Sequence, residues 1–151
     1  MLLKQIFAIT ILITILNQAR CNTNQNSTED KRAEGTTNFI QGDKLAIDQC
    51  LVEGFSLKSA NGEFFLNMQT DGNLVIYTTA KNVPIWATNT ATLGGKRVCM
   101  QQDGDFNIYS QSNNLIWSSK TKGKSGIYVK LQNSGNLEMF TKADKKVWET
   151  K

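Results

Sequence analysis

The stretch MQTDGNLVIY, from Met68 to Tyr77, carries side chains suited to binding a ligand rather than to reacting with one. Its residues of one parity are Gln69, Asp71, Asn73, Val75 and Tyr77. A carboxylate, two amides and a phenol hydroxyl supply hydrogen-bond donors and acceptors, and none of them is a strong nucleophile. The set therefore fits a ligand with several neighbouring hydroxyl groups, such as a sugar, with the Val side chain against the C–H face of the ring.

These five side chains would extend too far for one small ligand if they lay on a single straight strand. Eight residues of strand cover about 26 Å at roughly 3.3 Å per residue. The dipeptide Asp71-Gly72 removes this difficulty, because Gly accepts the positive φ that hairpin turns require. A turn there returns Gln69, at the end of one strand, to a position beside the outward row of the next strand. We therefore predict a shallow polar patch on a hairpin.

The same pattern occurs twice more along the chain. MQQDGDFNIY spans Met100 to Tyr109, and LQNSGNLEMF spans Leu131 to Phe140. A Trp-bearing segment closes each unit, and the equally spaced Trp residues are Trp86, Trp117 and Trp148. A pattern that repeats at constant spacing indicates one structural unit built three times.

Each unit consists of short strands joined by turns. Apolar residues alternate with outward-facing ones on both sides of each turn, which predicts β-strands with one face toward a core. The residues predicted to face that core are Leu66, Met68, Leu74, Ile76, Val98, Met100, Phe106, Ile108, Val129, Leu131, Leu137 and Met139. Three such sheets enclose one core if they face each other around an axis, and the three Trp are predicted to be its large fillers.

The first copy, MQTDGNLVIY, resembles the QxDxNxVxY motif of the bulb-type, or monocot mannose-binding, lectins at every specified position. The triple repeat with Trp segments such as IWATNT is also similar to that family, and the resemblance covers Gly42 to Lys151. It implies an all-β fold, the β-prism II, in which three four-stranded antiparallel sheets surround a pseudo-threefold axis. It also implies one potential sugar site per sheet.

The resemblance assigns roles to the first copy of the motif. Asp71 and Asn73 would bind the axial 2-hydroxyl of mannose. Gln69 would bind the 3-hydroxyl and Tyr77 the 4-hydroxyl, while Val75 packs on the ring carbons. The predicted function is a secreted, non-catalytic lectin for mannose or mannose-rich glycans and glycoproteins, with a role in innate defence. The alternative is a β-prism scaffold that has lost sugar binding and acts as a protein-binding or toxin-like defence module.

The second copy departs from the motif at two positions. It keeps Gln101, Asp103 and Tyr109. Asp105 replaces the Asn, and Asn107 replaces the Val. An Asp lacks the amide donor, and two carboxylates near one hydroxyl group repel each other. We expect weak or altered carbohydrate binding at this possible second site.

The third copy has lost more of the motif. It keeps Gln132 and Asn136. The Asp, Val and Tyr positions hold Ser134, Glu138 and Phe140. Because the carboxylate and the phenol hydroxyl are both gone, we expect no sugar binding at this copy.

The front of the chain has the layout of a secretory signal peptide over residues 1–21. Lys4 precedes an apolar run from Ile6 to Leu16, and a polar exit ends at Cys21. The run is shorter than the roughly 20 apolar residues that a membrane span needs, so we expect no membrane span. We predict cleavage near Cys21 and a secreted, extracellular product, with a lipid anchor on Cys21 as the alternative.

Residues 22–38 form a predicted disordered leader, because a segment with so few apolar side chains cannot offset its own ordering entropy. The leader contains Asn26-Ser27-Thr28, an acceptor motif for glycosylation at Asn26 in a eukaryotic host. Its dibasic pair, Lys31-Arg32, is a possible processing site. The bulb-type lectin domain is predicted to span residues 39–151.

Cysteine usage agrees with export. Once Cys21 has left with the signal peptide, Cys50 and Cys99 remain as an even pair in an oxidising compartment. We predict a disulfide between them that closes a loop of about 50 residues and contributes roughly 3–4 kcal/mol of stability. A pair of unconnected buried thiols is the alternative.

Composition argues against several other functions. The chain has no His, which excludes His-based triads and His metal sites, and we predict no enzyme activity. DGDFN at Asp103 is similar to the start of a calcium loop, but the later Gly and Glu of such loops are Ile108 and Asn114 here, so we expect no metal and no cofactor. The formal net charge is +4, and Lys120 to Lys130 is interpreted as a solvated Lys-rich loop, so no nucleic-acid partner is expected.

Weak sites imply an assembly. A shallow monosaccharide site binds near millimolar, which corresponds to about −4 kcal/mol. Useful avidity then requires several sites, and one or two per chain are too few. We therefore predict a homodimer or larger homo-oligomer, and the family resemblance suggests exchange of the final strand, KKVWETK, as one route.

Overall fold

The alternating sequence pattern forms β-strands throughout the described part of the chain, where no helix occurs. The structure is a computed structural model that describes residues 38–40 and 42–151. The strands are β1 (Asn38–Phe39), β2 (Lys44–Ala46), β3 (Cys50–Val52), β4 (Phe55–Lys58), β5 (Phe64–Met68), β6 (Leu74–Thr78), β7 (Pro84–Ala87), β8 (Gly95–Met100), β9 (Phe106–Ser110), β10 (Leu115–Ser118), β11 (Gly126–Leu131), β12 (Leu137–Thr141) and β13 (Lys146–Glu149).

Several predictions concern residues that the structure does not describe. The signal peptide, Cys21, Asn26, Lys31-Arg32 and the rest of the leader before Asn38 all lie outside the described residues. Asn38 itself belongs to β1.

Each repeat forms a meander of three antiparallel strands. The meanders β5–β7, β8–β10 and β11–β13 belong to the first, second and third sheet. The earlier strands β4, β3 and β2 add a fourth strand to these sheets in that order. The predicted all-β prism of three four-stranded antiparallel sheets is therefore confirmed. One pairing was not predicted. Strand β1 lies parallel to β4 and gives the first sheet a fifth strand.

The predicted core is confirmed. Every apolar residue that the alternation assigned to the interior is fully buried. Leu45, Leu51 and Leu57, one from each added strand, complete the same cluster. All three sheets therefore share a single core, and the outward parity of each hairpin remains for other contacts.

The three Trp side chains pack against this core at its edge. The ring centroids of Trp86 and Trp117 are 6.3 Å apart, as are those of Trp117 and Trp148, with interplanar angles of 76° and 66°. This edge-to-face geometry is favourable for aromatic pairs. Each Trp keeps some exposure, so the prediction that they fill the core is only partly right. Smaller apolar side chains fill the centre. This agrees with the general observation that a Trp is rarely buried completely.

The predicted disulfide is confirmed. Cys50 on β3 and Cys99 on β8 stand opposite each other in the antiparallel pair and are joined through their sulfur atoms. The bond links residues 49 positions apart, for which a chain-entropy model gives roughly 3–4 kcal/mol of stabilisation. It fastens the added strand β3 to the second meander.

The hairpin turn of one sheet packs against the start of the next meander. Gly72 has a φ of +93°, and a Cβ there would lie 2.8 Å from the backbone nitrogen of Gly95. Both the backbone conformation and the space therefore require Gly. The next turn repeats the arrangement, since a Cβ on Gly104 would lie 3.2 Å from the Gly126 nitrogen. These contacts fix the turns that carry the predicted binding residues.

Candidate functional site

The turn between β5 and β6 places three of the predicted site residues. The Gln69 N–H donates to the Asn73 carbonyl at 2.8 Å, and the Gly72 N–H donates to the Gln69 carbonyl at 3.1 Å. Gln69, Asp71 and Asn73 therefore belong to the turn, whereas Gln69 was predicted to end a strand. Residues 70–72 lie between the paired Gln69 and Asn73, so the connection is longer than a two-residue hairpin. The positive φ of Gly72 falls at the last of these positions.

Asp71 and Asn73 have defined orientations in this turn. One Asp71 carboxylate oxygen, Oδ1, accepts a hydrogen bond from the Asn73 backbone N–H at 2.9 Å. Asn73 Oδ1 accepts from the Thr90 backbone N–H and from the Thr88 hydroxyl, both at 3.1 Å. Because a backbone N–H can only donate, the side-chain atom that it meets must be the amide oxygen. The Asn73 nitrogen therefore points away from these partners.

Gln69 and Tyr77 contact each other across the patch. Gln69 Nε2 donates to the Tyr77 hydroxyl at 2.8 Å. The Tyr77 ring stacks on the Phe65 ring with centroids 5.2 Å apart and an interplanar angle of 17°. Gln69 keeps its amide oxygen as an acceptor, and Tyr77 keeps its hydroxyl proton as a donor.

Val75 is only 3% exposed. Asn73, which is paired with Gln69, and Tyr77 are four residues apart, or about 13 Å of extended chain. The Gln69 and Tyr77 side chains must lean toward each other to meet, and Val75 is the outward residue midway between them. Because Val75 is so little exposed, its predicted contact with a sugar ring requires neighbouring side chains to move.

The first copy thus combines two acceptors with two donors. The acceptors are Gln69 Oε1 and the second Asp71 carboxylate oxygen, and the donors are Asn73 Nδ2 and the Tyr77 hydroxyl. Within the described residues these atoms make no other hydrogen bond, and no side-chain polar atom there is both buried and unpaired. All four groups therefore face solvent. A hydroxyl group both donates and accepts, so adjacent hydroxyls on one ligand can satisfy the whole set.

The second copy holds a carboxylate where the first holds an amide. Asp105, at the position of Asn73, is 7% exposed. Its Oδ1 accepts from Ser119 Oγ and from the Thr121 N–H, both at 2.9 Å, and its Oδ2 accepts from Ser118 Oγ at 2.7 Å. Burial alone raises the pKa of this carboxyl, but the hydrogen bonds from Ser118, Thr121 and Ser119 outweigh burial and leave the pKa below its ordinary value.

Asn107 and Tyr109 of the second copy also form hydrogen bonds within the copy. Asn107, at the position of Val75, is 6% exposed. In the orientation that satisfies both ends of its amide, Nδ2 donates to Asp105 Oδ2 at 2.9 Å and Oδ1 accepts from the Tyr109 hydroxyl at 3.1 Å. Both Asp105 oxygens and the Tyr109 proton are therefore engaged inside the protein. This agrees with weak or altered binding, which stays a prediction.

Two cations lie beside the second copy. Lys122 Nζ is 3.4 Å from Asp103 Oδ2, and the Arg97 guanidinium lies over the Tyr109 ring at 5.4 Å from its centroid. The first copy has Phe65 stacked on its Tyr in place of the Arg. Of the five predicted second-site residues, Gln101 is therefore the one whose side chain forms no hydrogen bond or ion pair with a described residue.

The third copy is filled by an ion-pair cluster. Lys146 Nζ lies 3.1 Å from Glu138 Oε1 and 3.0 Å from Glu149 Oε2. Asn136 Nδ2 donates to Glu149 Oε2 at 2.6 Å, so the amide donor is used within the protein. Phe140 has no hydroxyl and stacks on the Tyr128 ring. The geometry agrees with the prediction that this copy binds no sugar.

Sequence reasoning missed the hydroxyl groups that support the turns. Thr88, Ser119 and Thr150 each follow a Trp by two residues. Each hydroxyl accepts from the N–H of the first residue of the strand after the turn, at 2.9–3.1 Å. The shared Trp-x-Ser/Thr pattern was the available signal, but it was interpreted only as part of the repeat.

The described residues offer no metal site or membrane-crossing helix. Between residues 38 and 151, apart from the undescribed position 41, no group of three or more His, Cys, Asp or Glu side chains could hold a metal ion. Over the same residues, no helix has the length and apolar character needed to cross a membrane.

The fold is a β-prism whose hairpin turns present polar side chains. No protein-family model matches the sequence. The mannose-specific lectin of Narcissus pseudonarcissus is 47% identical over 55 residues, which cover 36% of this chain and 49% of that protein. The chain spans half or less of the length of the first curated relatives that it matches.

Two solved structures match most of the domain. The monomeric monocot mannose-binding lectin from Gastrodia elata is 32% identical with a TM-score of 0.64, and the match covers 72% of this chain and 96% of that one. The mannose-specific agglutinin of snowdrop, Galanthus nivalis, in complex with methyl-α-D-mannoside, is 36% identical with a TM-score of 0.59, covering 70% and 93%. The chain belongs to the bulb-type, or monocot mannose-binding, lectin family. Lectins bind carbohydrate without catalysis, so the prediction that the protein is not an enzyme is confirmed.

Proposed function

We propose that this protein is a secreted lectin that binds mannose or mannose-rich glycans through the first hairpin. The observation that carries the proposal is the set of four solvent-facing groups on Gln69, Asp71, Asn73 and Tyr77. Two acceptors and two donors in one small patch match adjacent hydroxyl groups on a sugar ring. The mannose-specific relatives support mannose as the sugar.

Binding at the first hairpin exchanges one internal contact for contacts to the ligand. The Gln69–Tyr77 hydrogen bond joins two of the predicted sugar-binding side chains. A sugar that inserts its hydroxyl groups between these two side chains replaces that bond. The net gain is small, because each new hydrogen bond replaces one to water or protein. Affinity for a monosaccharide should therefore be near millimolar, about −4 kcal/mol.

The test is retention of the purified protein on a mannose column, with elution by free mannose or by galactose. The Asp71→Ala variant removes an acceptor from the first hairpin, and Asp103→Ala is its matched control in the second. We expect retention of the unmodified protein and of Asp103→Ala, release by mannose alone, and loss of retention for Asp71→Ala. Circular dichroism should show that all three proteins are folded.

Other outcomes redirect the proposal. Retention that survives Asp71→Ala but not Asp103→Ala would move the activity to the second hairpin. A folded protein that is not retained at high mannose density would contradict sugar binding. The remaining interpretation would then be a scaffold that serves as a protein-binding or toxin-like defence module.

We also propose a homodimer or larger assembly, since one weak site per chain gives little avidity. In this structure β13, which contains most of the segment predicted to exchange, pairs with β12 of its own chain. Exchange would replace that pairing with the same pairing in a second copy. Light scattering at micromolar concentration should give at least twice the mass of one chain. A monomer would contradict the proposal and would match the description of the Gastrodia elata lectins.

A further inference from the structure

We propose that Thr88 and Thr90 are positioning residues for the sugar site, in that they hold the Asn73 amide with its nitrogen toward the ligand. The inference rests on the proposed function, since it concerns how the first hairpin binds. Neither residue belongs to the QxDxNxVxY motif, and both lie on the segment that follows β7.

The orientation of the Asn73 amide is set by groups on this segment. The Thr90 N–H donates to Asn73 Oδ1 at 3.1 Å, and the Thr88 hydroxyl lies at the same distance from that oxygen. If the amide rotated by half a turn, its NH₂ group would face the Thr90 N–H, and two donors would oppose each other. Rotation is therefore disfavoured as long as the segment keeps its place.

The two hydroxyl groups keep the segment in place. Thr90 Oγ1 donates to the Gly72 carbonyl at 2.8 Å, within the turn that carries the site. The Thr88 and Thr90 hydroxyls are 2.8 Å apart, and Thr88 Oγ1 also accepts from the Leu74 N–H at 3.1 Å. The segment is thus joined to the turn on both sides of Asn73.

The second copy contains the same support and provides the matched control. Ser119 Oγ accepts from the Phe106 N–H at 2.9 Å, lies 2.6 Å from Thr121 Oγ1, and donates to Asp105 at 2.9 Å. Removal of the Ser119 hydroxyl therefore costs a similar set of backbone and side-chain bonds. These bonds are lost at the second hairpin, where Asp105, Asn107 and Tyr109 already form hydrogen bonds with one another.

The experiment compares Thr88→Val, Thr88→Ser and Ser119→Ala with the unmodified protein. Affinity for methyl α-mannoside and for its 2-deoxy analogue is measured by NMR titration, and stability by thermal unfolding. We expect Thr88→Val to lower mannoside affinity about three- to tenfold, the size of one hydrogen bond. Its preference for the mannoside over the 2-deoxy analogue should shrink, because the hydroxyl assigned to Asn73 then meets a misplaced donor. Thr88→Ser should restore both values.

The control separates positioning from a general loss of stability. Ser119→Ala should lower the melting temperature about as much as Thr88→Val and leave affinity and sugar preference unchanged. The inference is overturned if Thr88→Val binds both sugars like the unmodified protein. It is also overturned if the two variants weaken binding equally, or if both sugars weaken in parallel. A folded, unmodified protein that shows no titration overturns the proposed function itself, and the inference with it.

Discussion

The turns that begin at Gln69 and at Gln101 have the same backbone hydrogen bonds. In both, the first residue donates to the carbonyl of the fifth at 2.8 Å and accepts from the Gly at 3.1 Å. In both, a Thr N–H on the segment after the Trp donates to the side chain of the fifth turn residue. That side chain is an amide at Asn73 and a carboxylate at Asp105. The atom not bonded to the Thr N–H is therefore a donor, Nδ2, in Asn73 and an acceptor, Oδ2, in Asp105.

This comparison separates the requirements of the fold from those of binding. The support needs only an oxygen at Oδ1, and Asn and Asp both supply one. The second oxygen of Asp105 then attracts donors of its own, from Ser118 and Asn107, whereas Asn73 leaves its nitrogen to solvent. The three sheets keep one architecture while the outward side chains of their turns diverge, so the proposed sugar binding depends on a few of these side chains and not on the fold.

Moving the second-copy residues into the first hairpin should have the largest effect. In Asn73→Asp/Val75→Asn, the outward donor becomes an acceptor beside Asp71, and an amide below it can bond to the new carboxylate. We expect mannoside affinity to fall at least about thirtyfold, which corresponds to about 2 kcal/mol. NMR titration measures the loss.

Asn136→Asp is the control for the first of these two substitutions, because it makes the same Asn-to-Asp change at the copy filled by the ion-pair cluster. It should leave mannoside affinity unchanged. If Asn73→Asp/Val75→Asn binds as tightly as the unmodified protein, the Asn73 nitrogen does not contact the sugar and the comparison of the two hairpins fails.

The reverse exchange should create a second, weaker site. Asp105→Asn/Asn107→Val/Ser118→Ala gives the second hairpin the residues found at the matching positions of the first. We expect two binding sites per chain, seen as mannoside-induced shifts of NMR signals from both turns. The new site should be weaker than the first, because Lys122 remains paired with Asp103. Shifts confined to the first turn would show that further residues are needed.

A smaller effect concerns the strain beside the first turn. Thr92 has a φ of +66°, and its N–H donates to the Asp71 carbonyl at 2.8 Å. Gly123 makes the same bond to the Asp103 carbonyl at 2.8 Å with a φ of +80°. A β-branched residue in the left-handed region costs about 1–2 kcal/mol, part of which the greater freedom of Gly in the unfolded chain offsets.

Thr92→Gly should therefore stabilise the protein by about 0.5–1 kcal/mol, measured by urea unfolding. Gly123→Thr should destabilise it by the same amount, about 0.5–1 kcal/mol, because it introduces the same strain into the second copy with the same offset from the unfolded chain. Neither variant should change mannoside affinity. A lower free energy of unfolding for Thr92→Gly would mean that the Thr92 side chain contributes more than its strain.

The sequence predicted those features that depend on local periodicity. Alternation identified buried residues such as Leu66 and Phe106, because strand geometry alone sends every second side chain inward. The parallel pairing of β1 could not be predicted, since two residues carry no period. The low exposure of Val75 also escaped prediction, because it depends on how neighbouring side chains pack in the folded sheet.

The support from Thr88 and Thr90 illustrates the same limit at the site. The motif identified Asn73, but the orientation of its amide depends on a backbone N–H that only the folded sheet brings near. The disulfide was easier to predict, because Cys50 and Cys99 were the only two candidates once the signal peptide was set aside. A contact between distant residues can be predicted when each residue has few possible partners. A Thr hydroxyl has many possible hydrogen-bond partners, so its contacts cannot be predicted in this way.

The two hairpins also differ in pH dependence, because Asp105 contributes to it and Asn73 cannot. Its pKa is lower in the folded protein than in the unfolded chain, so the carboxylate stabilises the fold fully above its unfolded pKa of about 3.9. That stability is lost as the pH falls through the lower, folded pKa. The difference in free energy of unfolding between the unmodified protein and Asp105→Asn, about 1 kcal/mol, should be constant above about pH 5 and shrink below about pH 4.

Ser118→Ala removes a donor to Asp105 Oδ2 and should reduce this pH dependence of the free energy of unfolding. A difference that stays constant into the acid range would show that the Asp105 hydrogen bonds do not favour the charged form, and the contrast between the two hairpins would then be steric and not electrostatic.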